Sequence, residues 1–446
     1  MSKQTTGSGG RTVKHAIVIG AGAVGTVCAL NLQRRGFRTT VLDPRPAGHG
    51  CSFGNAGAIS PGSVAPIALP GMIRRVPNWL MDPLGPLFVR WRYLPRVAPW
   101  IARWVAASRP GQVELSAESL KPLISPVFDE YERLLGPNAF RSLFRRHGQL
   151  YVWESDAPSC TEKIGHALRD HHGVEAHWLQ PEQIRQLEPG LAPIFQRGLY
   201  LPNNGQTLQP LTLVETIVEL LRAEGGAVET GDAVDIKPFD GGAAVHLADG
   251  RQFEAETVVV AAGAWSARLS SRLGVTIPLE TERGYHVMLP KDSELLRRPV
   301  MHADRGFIAT PMDNGLRIAG TVEFAGIDAQ PDYRRAKSLL SHARAMFPVL
   351  QSETLDYWMG CRPSIPDSVP VIGHCPNAKS VIFAFGHGHL GITGAAMTGR
   401  LVGELAAGEP TTAIDMTPYR PERFRESLSI RRRRQGLAPS AAVSLG

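Results

Sequence analysis

The segment Ile17-Val18-Ile19-Gly20-Ala21-Gly22-Ala23-Val24-Gly25, closed by an acid at Asp43, constrains this chain more than any other. An apolar run from His15 ends at Gly20, and a helix of small residues follows from about Val24 to Arg35. Gly36 stops that helix, and Arg38 to Leu42 reads as the next strand. This is a compact βαβ unit, the context in which a GxGxxG spacing signals a dinucleotide site. Gly20 allows the tight strand-to-helix turn, Gly22 lets backbone approach a pyrophosphate, and Gly25 lets helix and strand pack closely. Ala23 and Val24 open the helix, whose free N–H groups and partial positive charge face the phosphates. Asp43 is placed to accept hydrogen bonds from an adenosine ribose. A carboxylate there repels a 2′-phosphate, so NADP is not expected.

A second cluster, Phe385-Gly386-His387-Gly388-His389-Leu390-Gly391-Ile392-Thr393-Gly394, stands near the other end, downstream of Gly360-Cys361-Arg362-Pro363. It too precedes a small-residue helix, Ile392 to Leu405. At 446 residues the chain is too long for one ordinary core, and two domains are expected. Dinucleotide-type segments fall in three blocks, 14–65, 200–278 and 355–408; the Val-rich run Thr257 to Val260 reads as a buried parallel strand. The intervening blocks, 66–199 and 279–354, read as helix and antiparallel strand, with His147 to Trp153, Tyr285 to Leu289 and Phe307 to Ala319 as strands. Residues 1–13 and 422–446 read as flexible tails.

The balance of 43% apolar and 20% charged residues is that of a globular chain, not a disordered one. Its apolar runs are broken by Gly, Pro or Arg, so no segment is expected to span a bilayer, and the N-terminus lacks the apolar core of a secretory signal. Five scattered cysteines without CxxC spacing point to a reducing, cytoplasmic setting. The 14 histidines show no ligand spacing, and no metal is expected. Charge is uneven: residues 71–111 hold seven Arg, no Lys, one acid (Asp82) and four of the eight Trp, and Arg431 to Arg434 form a second run. Such a segment is either a helical cap with aromatics inside and arginines outside, or a face for peripheral contact with the inner side of a membrane. Nucleic acid is not expected as a partner.

Cys51-Ser52-Phe53-Gly54-Asn55-Ala56-Gly57-Ala58-Ile59-Ser60-Pro61-Gly62 resembles the flavin-contacting loop of bacterial D-amino-acid dehydrogenases. These belong to the FAD-dependent superfamily that includes D-amino-acid oxidase, glycine oxidase and sarcosine oxidase. Val258 to Trp265 resembles its second dinucleotide-contact segment. Trp358 to Pro363, Pro366-Asp367, Pro370 to Gly373 and Gly386-His387-Gly388 resemble its C-terminal signature. The likeness runs in order from about Val13 to Pro421. A nicotinamide enzyme needs only the first glycine cluster, whereas a flavoenzyme with an extended cofactor needs both.

The resemblance implies an α/β fold: a discontinuous Rossmann-like FAD-binding domain with an inserted α+β substrate domain built on an antiparallel sheet. It implies non-covalent FAD held by the first motif, by Ser52, Asn55, Ala56 and Gly57, by Val234, Ala262, Gly263 and Trp265, and by Gly386, Gly388, Leu390, Gly391, Ile392 and Thr393. N–H groups of that last stretch would face the flavin pyrimidine edge, which gains negative charge on reduction. Arg362 matches the arginine that grips a substrate carboxylate, a fork-to-fork pairing Lys cannot reproduce. Tyr285 is expected to donate its hydroxyl to that carboxylate, and His286, which alternates with it and so points away, is the weaker candidate for substrate contact; a core or surface strand position is the alternative for both. His387 and His389 flank the flavin loop, where either tunes the flavin or the substrate amine. Cys361 stands where the family has an aliphatic residue, which raises covalent flavin attachment against a small buried cysteine. The implied reaction is oxidation of a D-amino acid, or a cyclic one of the D-proline or hydroxyproline type, with electrons passing to a quinone or another carrier. An oxygen-using glycine- or sarcosine-type oxidase, and an opine-oxidising or FAD-binding subunit needing partners, remain alternatives.

Overall fold

A computed structural model describes residues 13–72, 82–353, 355–411 and 413–424. Trp79, the pair Arg74-Arg75, the run Arg431 to Arg434 and most of both tails lie outside the described residues. Two large sheets organise the rest. One has six strands in the order Ala227–Thr230, Arg38–Asp43, His15–Ile19, Thr257–Val260, Ala378–Phe385, Val371–Cys375. Its first five strands run parallel, and the last returns antiparallel as a hairpin.

Its central strands carry unbroken apolar runs, Ala16 to Ile19, Val258 to Val260 and Val381 to Phe385, because both faces are covered there. Ala16 and Val18 point into a core built with the helices Ala23–Arg34, Pro210–Ala223 and Gly391–Ala407. Ile17 and Ile19 point the other way, into a core shared with the three-stranded antiparallel sheet Ala233–Phe239, Gly242–Leu247, Gln252–Ala255. The period of two along a strand thus sorts adjacent residues into separate cores.

The second sheet has nine strands. Asp356–Ser364 lies at one edge, followed by Glu280–Leu289, Gly315–Phe324, Phe307–Met312, Val300–His302, Gln149–Trp153, Arg197–Leu201 and His177–Leu179; Leu87–Val89 adds to Gly315–Phe324. Helix Arg334–Met346 packs on it, with Leu339, Ala343 and Met346 against Val287, Leu289 and Ile318.

The segment Asp356–Ser364 departs from the sequence-based block 355–408. It pairs residue for residue with Glu280–Leu289, so the six-stranded sheet resumes only at Val371. Its Gly360, Arg362 and Pro363 hide the alternation by which a strand is recognised, because one of its faces is a site and not a core. The strand read as Phe307 to Ala319 is two, Phe307–Met312 and Gly315–Phe324, joined by a tight turn.

Candidate active site

Between the two sheets lies a cavity of about 800 Å³ whose lining comes from both. At one end stand Gly20, Gly22, Ala23, Val24 and Asp43. At the other stand Arg362, Trp358, Thr321 and Val322, with the Gly386 to Thr393 stretch alongside.

The first motif has the geometry its spacing requires. Gly20 has a φ of +111°, and a Cβ there would strike the carbonyl of Ala261. A Cβ on Gly25 would overlap the Gly20 carbonyl, so helix and strand touch through backbone. Gly25 itself does not line the cavity. Asp43 Oδ2 accepts from Ala21 N at 2.9 Å and Oδ1 from Arg45 N at 2.9 Å, which aims the carboxylate and leaves lone pairs for a ribose. The helix Ala23–Arg34 has no acid in its first turn; its Ala23 N donates to Ser52 Oγ at 3.0 Å. Helix Gly391–Ala407 likewise starts with no side-chain cap and no acid in its first turn. Two helix starts on one cavity, neither with an N-cap side chain nor an acid in its first turn, fit a pyrophosphate at one and an electron-rich ring at the other.

Ser52, Asn55, Ala56, Val234, Ala262, Gly263 and Trp265 all line the cavity; Gly57 does not, and its N–H donates to Asn55 Oδ1 at 2.8 Å. Two arginines not anticipated from the sequence shape this region. Arg45 reaches over the Trp265 ring at 4.7 Å. Arg317, buried in the large sheet, donates from Nη1 to Phe53 O at 3.1 Å and Asn55 O at 2.6 Å, pinning the loop after Cys51. Their only signal was charge within apolar or small-residue stretches.

The register of two strands settles the opposite end. Glu282, Gly284 and His286 face Arg362, Gly360 and Trp358 respectively. Directly paired and alternate residues share a face, so these six lie on one side of the sheet. The Arg362 guanidinium occupies the space a Cβ on Gly284 would fill, and Trp358 likewise covers Gly360 and Gly54. Arg362 Nη1 donates to Thr321 O at 3.2 Å. That carbonyl is turned by a β-bulge: Tyr285 pairs with Gly320 and Arg283 with Glu323, leaving Thr321 in the left-handed region at φ +59°. Buried Arg335 holds the Thr321 hydroxyl through Nε at 3.3 Å. Among the described residues Arg362 forms no ion pair within 4 Å. Its charge faces the cavity.

Tyr285 is a correction. It lies on the far face, in the core under helix Arg334–Met346. Its hydroxyl donates to Glu323 Oε2 at 2.6 Å and accepts from Asp332 N at 3.0 Å, and it does not line the cavity. Glu323 also takes Arg283 at 3.2 Å and Arg90 at 2.6 Å, so the hydroxyl belongs to a buried ionic network. His286 reverses the expected alternation. It shares the face of Arg362 but is covered by Trp358, stacked at 5.1 Å and 18°, with Nδ1 3.2 Å from Gly54 O. It braces the wall without lining the cavity, and burial lowers its pKa to about 3.

His387 lines the cavity yet is 4% exposed. Thr398 Oγ1 donates its one proton to Gly394 O at 2.8 Å, so it must accept from His387 Nε2 at 2.8 Å. Burial pushes the imidazole down to about 4, which makes it neutral at physiological pH with its proton on Nε2. His389 is half-exposed and pairs through Nε2 with Glu282 Oε2 at 2.9 Å. Burial works to raise the Glu282 pKa, but His389, Ser364 (Oγ at 2.7 Å) and the Arg362 charge hold it below the usual range. Sequence reasoning missed Glu282, whose signal was a Glu-Arg pair inside a fully buried strand. Cys361 is buried, and its thiol is pushed up by that burial. No three potential metal ligands gather among the described residues.

The family model described as FAD dependent oxidoreductase matches residues 15–405. A D-amino-acid oxidase from Bradyrhizobium diazoefficiens is 36% identical over 418 residues, covering 92% of this chain and 99% of the relative. A D-amino acid dehydrogenase from Xanthobacter autotrophicus is 31% identical over 436 residues, with 92% and 99% covered. Among solved structures, glycine oxidase from Geobacillus kaustophilus superposes with a TM-score of 0.68 at 21% identity, covering 91% of this chain and 98% of that one. L-proline dehydrogenase from P. horikoshii gives 0.68 at 18%, covering 92% and 98%. The Rossmann-like cofactor sheet, the acid-free helix starts and these likenesses agree, and the chain belongs to the FAD-dependent oxidoreductase family.

Proposed function

We propose that the chain oxidises a D-amino acid to its imine, which water converts to the 2-oxo acid and ammonia. The observation that carries this is the Arg362 guanidinium, seated over Gly284 and lining the cavity with no ion pair within 4 Å among the described residues. A planar cation held in that way suits a carboxylate in fork-to-fork pairing. Held there, the substrate presents its Cα–H in one orientation, which is a large share of what such a reaction requires. Bound FAD would supply the acceptor for the α-hydride. Neutral His387 adds no anion that would hold the amine as its ammonium, and the neutral amine is the form that can expel hydride. Names of relatives support the D stereochemistry. A cyclic amine of the D-proline or hydroxyproline type falls within the same class, its imine opening or staying closed.

Two acceptors have support. A quinone or similar carrier fits the exposed strip Trp91, Arg92, Arg96 and Arg103, where a peripheral membrane contact would form, while Trp100 and Trp104 turn inward. No helix among the described residues is long and apolar enough to cross a membrane. Oxygen is the second reading, favoured by the relative named as an oxidase. The test is anaerobic addition of D- and L-amino acids in turn to the flavin-loaded protein. Bleaching by D forms alone supports the proposal, and bleaching by none overturns it. Admission of air then separates the acceptors: fast recolouring means oxygen, slow recolouring another carrier.

A further inference from the structure

Behind the carboxylate end of the cavity lies a second, smaller space of about 60 Å³. It is apolar, lined among others by Leu87, Val89, Trp100, Trp104 and Phe324. Trp100 is locked in place by its ring contact with Phe324 at 5.2 Å and by Nε1 donating to Ser364 O at 3.3 Å. Glu282 also borders this space, but its carboxylate is committed to Ser364 and His389.

Val322 borders both spaces. It follows Thr321, whose carbonyl accepts from Arg362 Nη1, and it packs against the cluster of Trp100 and Phe324. Its backbone is fixed, with N donating to Pro86 O at 2.8 Å and O accepting from Arg335 Nη2 at 3.3 Å. Met301, Ile308 and Pro86 continue the same wall of the cavity with apolar surface.

We infer that Val322 is the specificity-determining wall for the substrate side chain: it admits apolar side chains against itself and closes off the niche that larger ones would enter. The inference rests on the carboxylate of the substrate sitting on Arg362. Shortening Val322 joins the niche to the cavity without moving Arg362, because the anchoring contacts of Thr321 and Val322 are made by backbone and by Arg335. An extra apolar group in a matched pocket changes discrimination by roughly ten- to two-hundred-fold.

The experiment uses flavin-loaded protein and reads the flavin absorbance change on titration with propanoate and with 4-methylpentanoate, so no turnover is needed. Val322→Ala should tighten 4-methylpentanoate relative to propanoate by about tenfold or more. Val322→Ile, which narrows the same wall, should shift the ratio the other way and carries the test if the alanine variant does not hold FAD. An unchanged ratio in a folded variant, with both acids binding, overturns the inference alone. If neither acid perturbs the flavin of the unaltered protein, the carboxylate reading of Arg362 fails, and this inference fails with it.

Discussion

The guanidinium of Arg362 fills the volume that any side chain on Gly284 would need, two strands meeting so that a cation rests on bare backbone. Replacing Gly284 with Ala would force the arginine off its seat while leaving the cofactor end untouched. KM for the amino acid should rise about tenfold to a hundredfold, with the flavin spectrum and cofactor content unchanged. Steady-state kinetics beside an absorbance spectrum check this.

Arg362→Ala should raise KM by about a hundredfold, equivalent to about 3 kcal/mol for a lost charge-assisted pair. Arg362→Lys should recover only part, since an ammonium cannot reproduce the planar fork. The contradicting result is parallel loss of FAD and of substrate affinity.

Asp43 acts at the opposite end. Its two oxygens accept from Ala21 N and Arg45 N, so Asp43→Ala removes both the expected ribose acceptor and the brace of the glycine turn. FAD affinity should fall about tenfold to a hundredfold. Protein saturated with FAD should keep its KM. Fluorescence titration of cofactor-free protein measures the first effect.

His387 gives a pH signature. Its folded pKa of about 4 lies below the ordinary histidine value, so the unfolded chain binds the proton more readily. Its contribution is present above pH 6.5 and is lost as pH falls towards 4, by about 3 kcal/mol over that span as an order of magnitude. His286, at about 3, adds in the same direction and loses its contribution at still lower pH. Denaturant melts from pH 7 to pH 4 should show stability declining more steeply in the unaltered protein than in His387→Gln. A His387→Gln curve of the same slope would contradict the assignment of a neutral, buried imidazole.

The cofactor end was legible in the sequence because its demands are local. Only glycine tolerates φ +111° at position 20 against the Ala261 carbonyl, so chemistry and spacing speak together there. The sidedness of Tyr285 and His286 was not legible. It depends on the register with Asp356–Ser364, a strand whose inward face carries Trp358, Gly360 and Arg362 in place of an apolar stripe. Thr321 left no trace either, since a threonine in the left-handed region is set by the bulge and by Arg335, contacts distant in sequence. Of the basic-aromatic segment, Trp100 and Trp104 are core and Trp91 is exposed, a division only the packing against Phe324 reveals.

The most direct test of the central claim compares D-alanine with D-alaninamide in anaerobic rapid mixing with the flavin-loaded protein. The amide keeps the Cα–H and the amine but loses the anion that Arg362 would hold. D-alanine should bleach the flavin at concentrations where the amide does so at least about a hundred times more slowly. Equal bleaching by the two would show that Arg362 does not hold the substrate carboxylate.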